Sequence, residues 1–65
     1  MIKVNGAEVL DAAGLSLEKY LESSGYTISR VAVELNGKIV SKSLYGQTML
    51  AEGDSLEVVS FVGGG

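Results

Sequence analysis

Two Asn-Gly pairs, Asn5-Gly6 and Asn36-Gly37, each stand between short runs of alternating apolar and polar residues. Two-residue hairpin turns need positive φ at both central positions, which Asn and Gly tolerate, so this dipeptide flanked by alternation is the strongest short-range hairpin signal. Before the first pair, Ile2 and Val4 share one face and Lys3 takes the other. After it, Glu8, Val9 and Leu10 return as a short second strand. Around the second pair, Arg30 to Leu35 alternate, with Val31, Val33 and Leu35 inward and Ala32 and Glu34 outward, and Lys38, Ile39 and Val40 return. Two hairpins therefore account for about a third of a 65-residue chain, and the remainder must cover and join them.

The segment between them, L-S-L-E-K-Y-L-E-S-S-G over residues 15–25, has helical spacing. Ser16 suits an N-cap, Glu18 sits where the helix dipole favours negative charge, and Gly25 suits a left-handed position beyond the C-terminus. Leu17, Tyr20, Leu21 and Ser24 share one face, with Glu18, Lys19 and Glu22 turned outward. Two to three turns do not persist alone in water, so the apolar face must lie on the sheet. Residues 41–47 (S-K-S-L-Y-G-Q) show no period and read as a loop with one irregular turn. Gly53-Asp54 marks a tight turn, and residues 55–62 form the longest strand. The expected architecture is α+β: one mixed sheet of four to five strands packed on a single helix.

Composition narrows the function. The chain has no cysteine and no histidine, which removes disulfides, thiolate metal sites, the commonest general base and the commonest nitrogen ligand. Its formal charge of −3 is spread along the sequence, without the basic stripe that nucleic-acid binding requires. The apolar runs are too short to cross a bilayer, and residues 1–25 lack the apolar core of a signal peptide. The expectation is a cytoplasmic protein that is not itself an enzyme and binds no metal, nucleic acid or membrane. Glu18 and Glu22 lie four apart on the helix but read as a solvated face rather than a metal pair. Asp54 reads as a turn residue, and Tyr20 and Tyr26 as packing residues bordering the helix.

The last strand and the closing F-V-G-G-G concentrate the remaining signal. If Leu56 and Val58 face the helix, then Glu57, Val59 and Phe61 share the solvent face unless the strand bulges. Exposed apolar residues are ordinary when scattered; the alternative is a patch of Val59, Phe61 and Val62 on which a partner docks. Gly63, Gly64 and Gly65 reach about 10 Å when extended and, lacking Cβ atoms, pass through channels closed to other residues. The Gly65 carboxylate is ionised at neutral pH and inert. It becomes an acyl donor only when an oxygen is made a leaving group, for instance by attachment to AMP. The chain has no G-x-x-x-x-G-K-[ST] phosphate loop, so another protein must handle the nucleotide. A tail that is frayed or artificial is the competing reading.

The opening I-K-V-N-G, the central R-V-A-V-E-L-N-G-K-I-V (residues 30–40), T-M-L-A-E-G-D-S-L-E-V-V (residues 48–59) and the closing F-V-G-G-G together resemble the ThiS family of thiamine-biosynthesis sulfur carriers. The resemblance runs end to end, with Ser41 where the family often has proline and Tyr45 where tryptophan is common. It implies a ubiquitin-like β-grasp domain over residues 1–62 and a flexible glycine tail over 63–65. It implies that Gly65 is adenylated, with ATP and Mg bound by a ThiF-type adenylating enzyme rather than by the chain. The acyl-adenylate is converted to a thiocarboxylate with sulfur from a donor protein. A ThiG-type thiazole synthase takes the sulfur for the thiazole ring. A MoaD-like molybdopterin sulfur carrier and a ubiquitin-like conjugated modifier use the same activation and stand as alternatives, as does an interaction module whose glycines are incidental.

Overall fold

The computed structural model describes residues 1–61. Both Asn-Gly pairs turn the chain as expected: Asn5 and Asn36 each have φ 52°, and Gly6 and Gly37 each have φ 84°, the type I′ signature whose twist matches the flanking strands. The first turn joins β1 (Ile2–Val4) to β2 (Ala7–Val9), and the second joins β3 (Val31–Leu35) to β4 (Lys38–Ile39). The last strand, β5 (Ser55–Ser60), runs between the hairpins, giving the order β2-β1-β5-β3-β4. It pairs parallel to β1 and antiparallel to β3. One helix, α1 (Leu17–Ser23), completes the β-grasp arrangement.

Both ends of α1 are closed by hydrogen bonds legible in its sequence. Ser16 Oγ accepts from the Lys19 N–H at 3.1 Å, satisfying one of the free donors of the first turn. At the other end Gly25 takes φ 87°, and the Gly25 and Tyr26 N–H groups donate to the Glu22 and Leu21 carbonyls. That is a Schellman closure, and the left-handed glycine makes it possible. Two further donors of the first turn, the Leu17 and Glu18 N–H groups, are taken by the Thr48 and Tyr45 carbonyls at 2.7 and 3.1 Å. The segment after β4 is thereby stitched to the start of the helix.

Leu17, Tyr20 and Leu21 of α1 are buried against Ile2, Val4, Val31, Val33, Leu56 and Val58, the inward positions of the three central strands. Each such side chain contributes about 1.5–3 kcal/mol by leaving water. Tyr45 joins them at 1% exposure and is the largest fully buried side chain.

The structure departs from the expectations in detail. Leu10 is not in a strand: β2 ends at Val9, Asp11 takes φ 63°, and Leu10 is 73% exposed. Ser24 is the C-cap and exposed rather than part of the apolar face. A 3-10 turn over Ile28–Arg30 delays β3 to Val31, and β4 stops at Ile39. The irregular turn within residues 41–47 is a 3-10 turn at Lys42–Leu44, but the segment's main role is to deliver Tyr45 to the core. β5 ends at Ser60, and Val62, the last residue of the expected strand, lies outside the described residues.

Candidate functional site

β5 is the central strand, and what holds its register also sets where the chain leaves the sheet. β1 stops at Val4, where the backbone turns away at Asn5, yet the parallel ladder gains one more rung. Asn5 Nδ2 donates to the Val58 carbonyl at 3.1 Å, and the Val58 N–H donates to Asn5 Oδ1 at 2.7 Å. A side-chain amide thus replaces the main chain that β1 no longer supplies. On the other flank Asn36 Oδ1 accepts from the Ser55 N–H at 2.9 Å, and Asn36 Nδ2 donates to Asp54 Oδ1 at 3.0 Å. The residues that make the two turns also clasp β5 from both sides. Asp54 Oδ2 accepts from the Ala51 N–H, closing the turn before β5, in keeping with its expected turn role.

The outer face of the sheet is ordered by the β3–β5 register. Glu34 stands opposite Glu57 and Ala32 opposite Val59, and the Phe61 N–H donates to the Arg30 carbonyl at 2.7 Å, carrying the pairing one step past Ser60. No bulge intervenes. Val59 and Phe61 accordingly lie outward, 57% and 56% exposed, as the alternation of the last strand required. Ile39, opposite Glu34 on β4, is 81% exposed. Beside the end of β5 an open cleft of about 260 Å³ is lined by Tyr26, Arg30 and Phe61 among others.

Val59 and Phe61, two members of the expected docking patch, are therefore together on one accessible face. The third, Val62, and the tail residues Gly63, Gly64 and Gly65 lie outside the described residues. Sequence reasoning does not reveal that Ile39 lies on this face or that Arg30 lines the cleft beside the end of β5. Alternation leaves Arg30 at the start of a strand without a facing, and Ile39 in a return strand whose exposed side only the β4 pairing reveals. Glu18 and Glu22 are exposed on α1, and among the described residues no cluster of acidic side chains is disposed to hold a metal ion. Tyr20 is buried and Tyr26 half-buried against the core, consistent with packing roles.

Among the described residues one buried side-chain polar atom has no partner: the Tyr45 hydroxyl. Burial pushes its phenol above the ordinary range; the Val33 main chain pulls weakly the other way but does not reach hydrogen-bonding geometry, so burial prevails. Tyr45 packs on the helix side of the sheet, away from the outer face, and carries no chemistry at the site.

The ThiS family model matches residues 2–65. The chain belongs to the ThiS family. Solved relatives agree along the whole fold: the crystal structure of a thiamine biosynthesis protein (ThiS) from Geobacter metallireducens superposes with TM-score 0.78 at 31% identity, covering 98% of this chain and 97% of that one. A thiazole synthase from Magnetococcus marinus is 44% identical over 64 residues, 98% of this chain. The chain spans about a fifth of the length of that relative and of a second thiazole synthase, from Paramagnetospirillum magneticum. An uncharacterized protein, ycf40, of Pyropia yezoensis is 38% identical and is covered over 90% of its length. In this ThiS-family chain no described helix is long and apolar enough to cross a membrane.

Proposed function

We infer that the chain is a sulfur carrier of thiamine biosynthesis, acting as a protein co-substrate rather than an enzyme, with the Gly65 carboxylate as its reactive group. The observation that carries this is the family match, which extends to residue 65 and so includes the glycine end. In the activation step a Gly65 carboxylate oxygen attacks the α-phosphorus of ATP on a ThiF-type adenylating enzyme. Pyrophosphate leaves, and the acyl carbon then carries AMP as a leaving group. A sulfide-level nucleophile supplied by a sulfur-donor protein expels AMP and leaves a thiocarboxylate. The sulfur passes to a ThiG-type thiazole synthase. Relatives bearing that name contain a region 44% identical to this chain, which supports the partnership.

The chain's own contribution is delivery. Gly63, Gly64 and Gly65 thread the partner's channel, while Val59 and Phe61, with Val62, supply the apolar anchor at the base of the tail. Ordering three glycines costs roughly 3–6 kcal/mol, and removing about 300 Å² of apolar surface from water returns about 7 kcal/mol. Anchoring close to the threaded segment offsets the ordering cost. The chain binds no cofactor; ATP and Mg belong to the partner, and the cytoplasm, where ATP is abundant, is the compartment this chemistry fits.

A chain extended by one alanine after Gly65 tests the reading. The extended chain should accept neither AMP nor sulfur while its thermal unfolding is unchanged. Undiminished sulfur delivery by it would contradict a main-chain carboxylate as the reactive group.

A further inference from the structure

Both asparagines of the chain are followed by glycine, and both sit in turns at positive φ. An asparagine carboxamide is an electrophile, and the main-chain nitrogen of the next residue can close on it to form a cyclic imide. Glycine in that next position has no Cβ to hinder the approach. Gly6 and Gly37 lie in open turns, where a Cβ would meet nothing within 4 Å, and neither N–H donates a hydrogen bond among the described residues. The nucleophile is thus equally free in the two turns. What differs is how firmly each carboxamide is held.

The Asn36 carboxamide is held by exposed bonds, to the Asp54 side chain and the Ser55 N–H, and β4 beside it is an edge strand of two residues. When it swings toward the Gly37 nitrogen, water takes over both partners. The Asn5 carboxamide is bonded to both main-chain groups of Val58, and those bonds are part-buried. Val58 belongs to the core and to the central strand, so releasing Asn5 leaves a donor and an acceptor short of water. Ring closure there requires a wider opening of the first hairpin, and the population of such openings falls with what they break.

We propose that Asn36 is a self-modification site, where the folded chain slowly converts to aspartate and isoaspartate while the fold protects Asn5. The Gly37 nitrogen loses its proton to solvent base and bonds to the Asn36 Cγ. The Cγ–Nδ2 bond breaks, and ammonia leaves. Water then opens the imide at either carbonyl, giving aspartate or isoaspartate; no oxidant, reductant or cofactor enters. Either product replaces the donor that Asn36 offers Asp54 with a carboxylate facing a carboxylate, and adds one negative charge to a net −3. Isoaspartate also lengthens the main chain inside a two-residue turn, whose geometry fixes the register of the hairpin. The damage falls on the start of β5, at the end away from the tail. The isoaspartyl product is the substrate class of a carboxyl methyltransferase that uses a sulfonium methyl donor. This inference stands independently of the sulfur-carrier reading.

The test follows the purified chain in mildly alkaline buffer, folded and in urea, with both turns mapped by proteolysis and mass spectrometry and isoaspartate counted by enzymatic methylation. In the folded chain Asn36 should convert about tenfold faster than Asn5 or more, a difference in opening of about 1.4 kcal/mol. In urea, where neither clasp exists, the two rates should converge. Equal rates in the folded chain, conversion of Asn5 ahead of Asn36, no conversion of Asn36 while folded, or a ratio that urea leaves unchanged would each overturn the site. A second arm reads the consequence by denaturant unfolding. Asn36→Asp should be less stable than the wild type, and Asn36→Asp/Asp54→Asn, which exchanges donor and acceptor across the same pair, should recover most of the loss. An Asn36→Asp chain as stable as the wild type, or no recovery in the exchanged pair, would overturn the consequence drawn for β5.

Discussion

Asn5 and Val58 exchange two hydrogen bonds, the carboxamide donating to the Val58 carbonyl at 3.1 Å and accepting from its N–H at 2.7 Å. The bonds span 53 positions of sequence and fasten the first hairpin to the strand that carries the tail. Asn5→Gly keeps the positive φ and removes only the carboxamide, leaving both main-chain groups of Val58 without these partners. It should cost about 1–3 kcal/mol in denaturant unfolding and speed amide exchange at Val58 ahead of the rest of β5. Asn36→Gly, whose contacts are exposed, should cost less. Equal costs would mean that the Asn5 pair is not the firmer clasp.

Tyr45→Phe removes a buried hydroxyl that has no partner among the described residues and keeps the ring. Removing an unsatisfied polar group from a core is neutral or stabilising, here by up to about 1 kcal/mol. The same substitution exposes a pH dependence. The folded-state pKa of Tyr45 is raised above the unfolded value of about 10. Below that value both states keep the proton, and the group adds no slope. Above it the unfolded chain deprotonates first, so stability falls with rising pH until the folded pKa is passed. The stability advantage of Tyr45→Phe over the wild type should therefore widen above about pH 10. A constant difference from neutral to strongly alkaline pH would contradict a buried, protonated phenol.

Leu21 is fully buried beneath α1. Leu21→Ala should cost about 2–5 kcal/mol, a large share of what a 65-residue domain has, and should melt helix and sheet together. Helix loss with the sheet intact, seen by circular dichroism and amide exchange, would show that the two layers are not one cooperative unit.

The hairpins, the helix and its caps were legible because each rests on local chemistry: Asn-Gly at positive φ, Ser16 on an N–H three residues on, Gly25 in the left-handed region. The exposure of Val59 and Phe61 followed from strand alternation alone. The burial of Tyr45 was not legible, since residues 41–47 have no period and the pull on them comes from helix donors distant in sequence. Nor was the opposition of Glu34 and Glu57, or the place of Arg30 beside Phe61. Alternation gives facing, but register depends on how β5 meets β3, and nothing within either strand states it.

Phe61→Asp should leave the fold intact, because Phe61 is 56% exposed, and weaken activation through a higher KM, by about tenfold or more for an anchoring aromatic residue. Unfolding of this variant would place Phe61 in the core, and unchanged activation would dissociate the apolar face from docking.

The most direct measurement is the intact mass of the chain after incubation with ATP, Mg, the adenylating enzyme and a sulfur donor, with the modified residue located by fragmentation. One oxygen replaced by sulfur, at Gly65, is the expected product. Sulfur at any other residue, or a mass that stays unchanged while the enzyme turns over a known carrier, would contradict it.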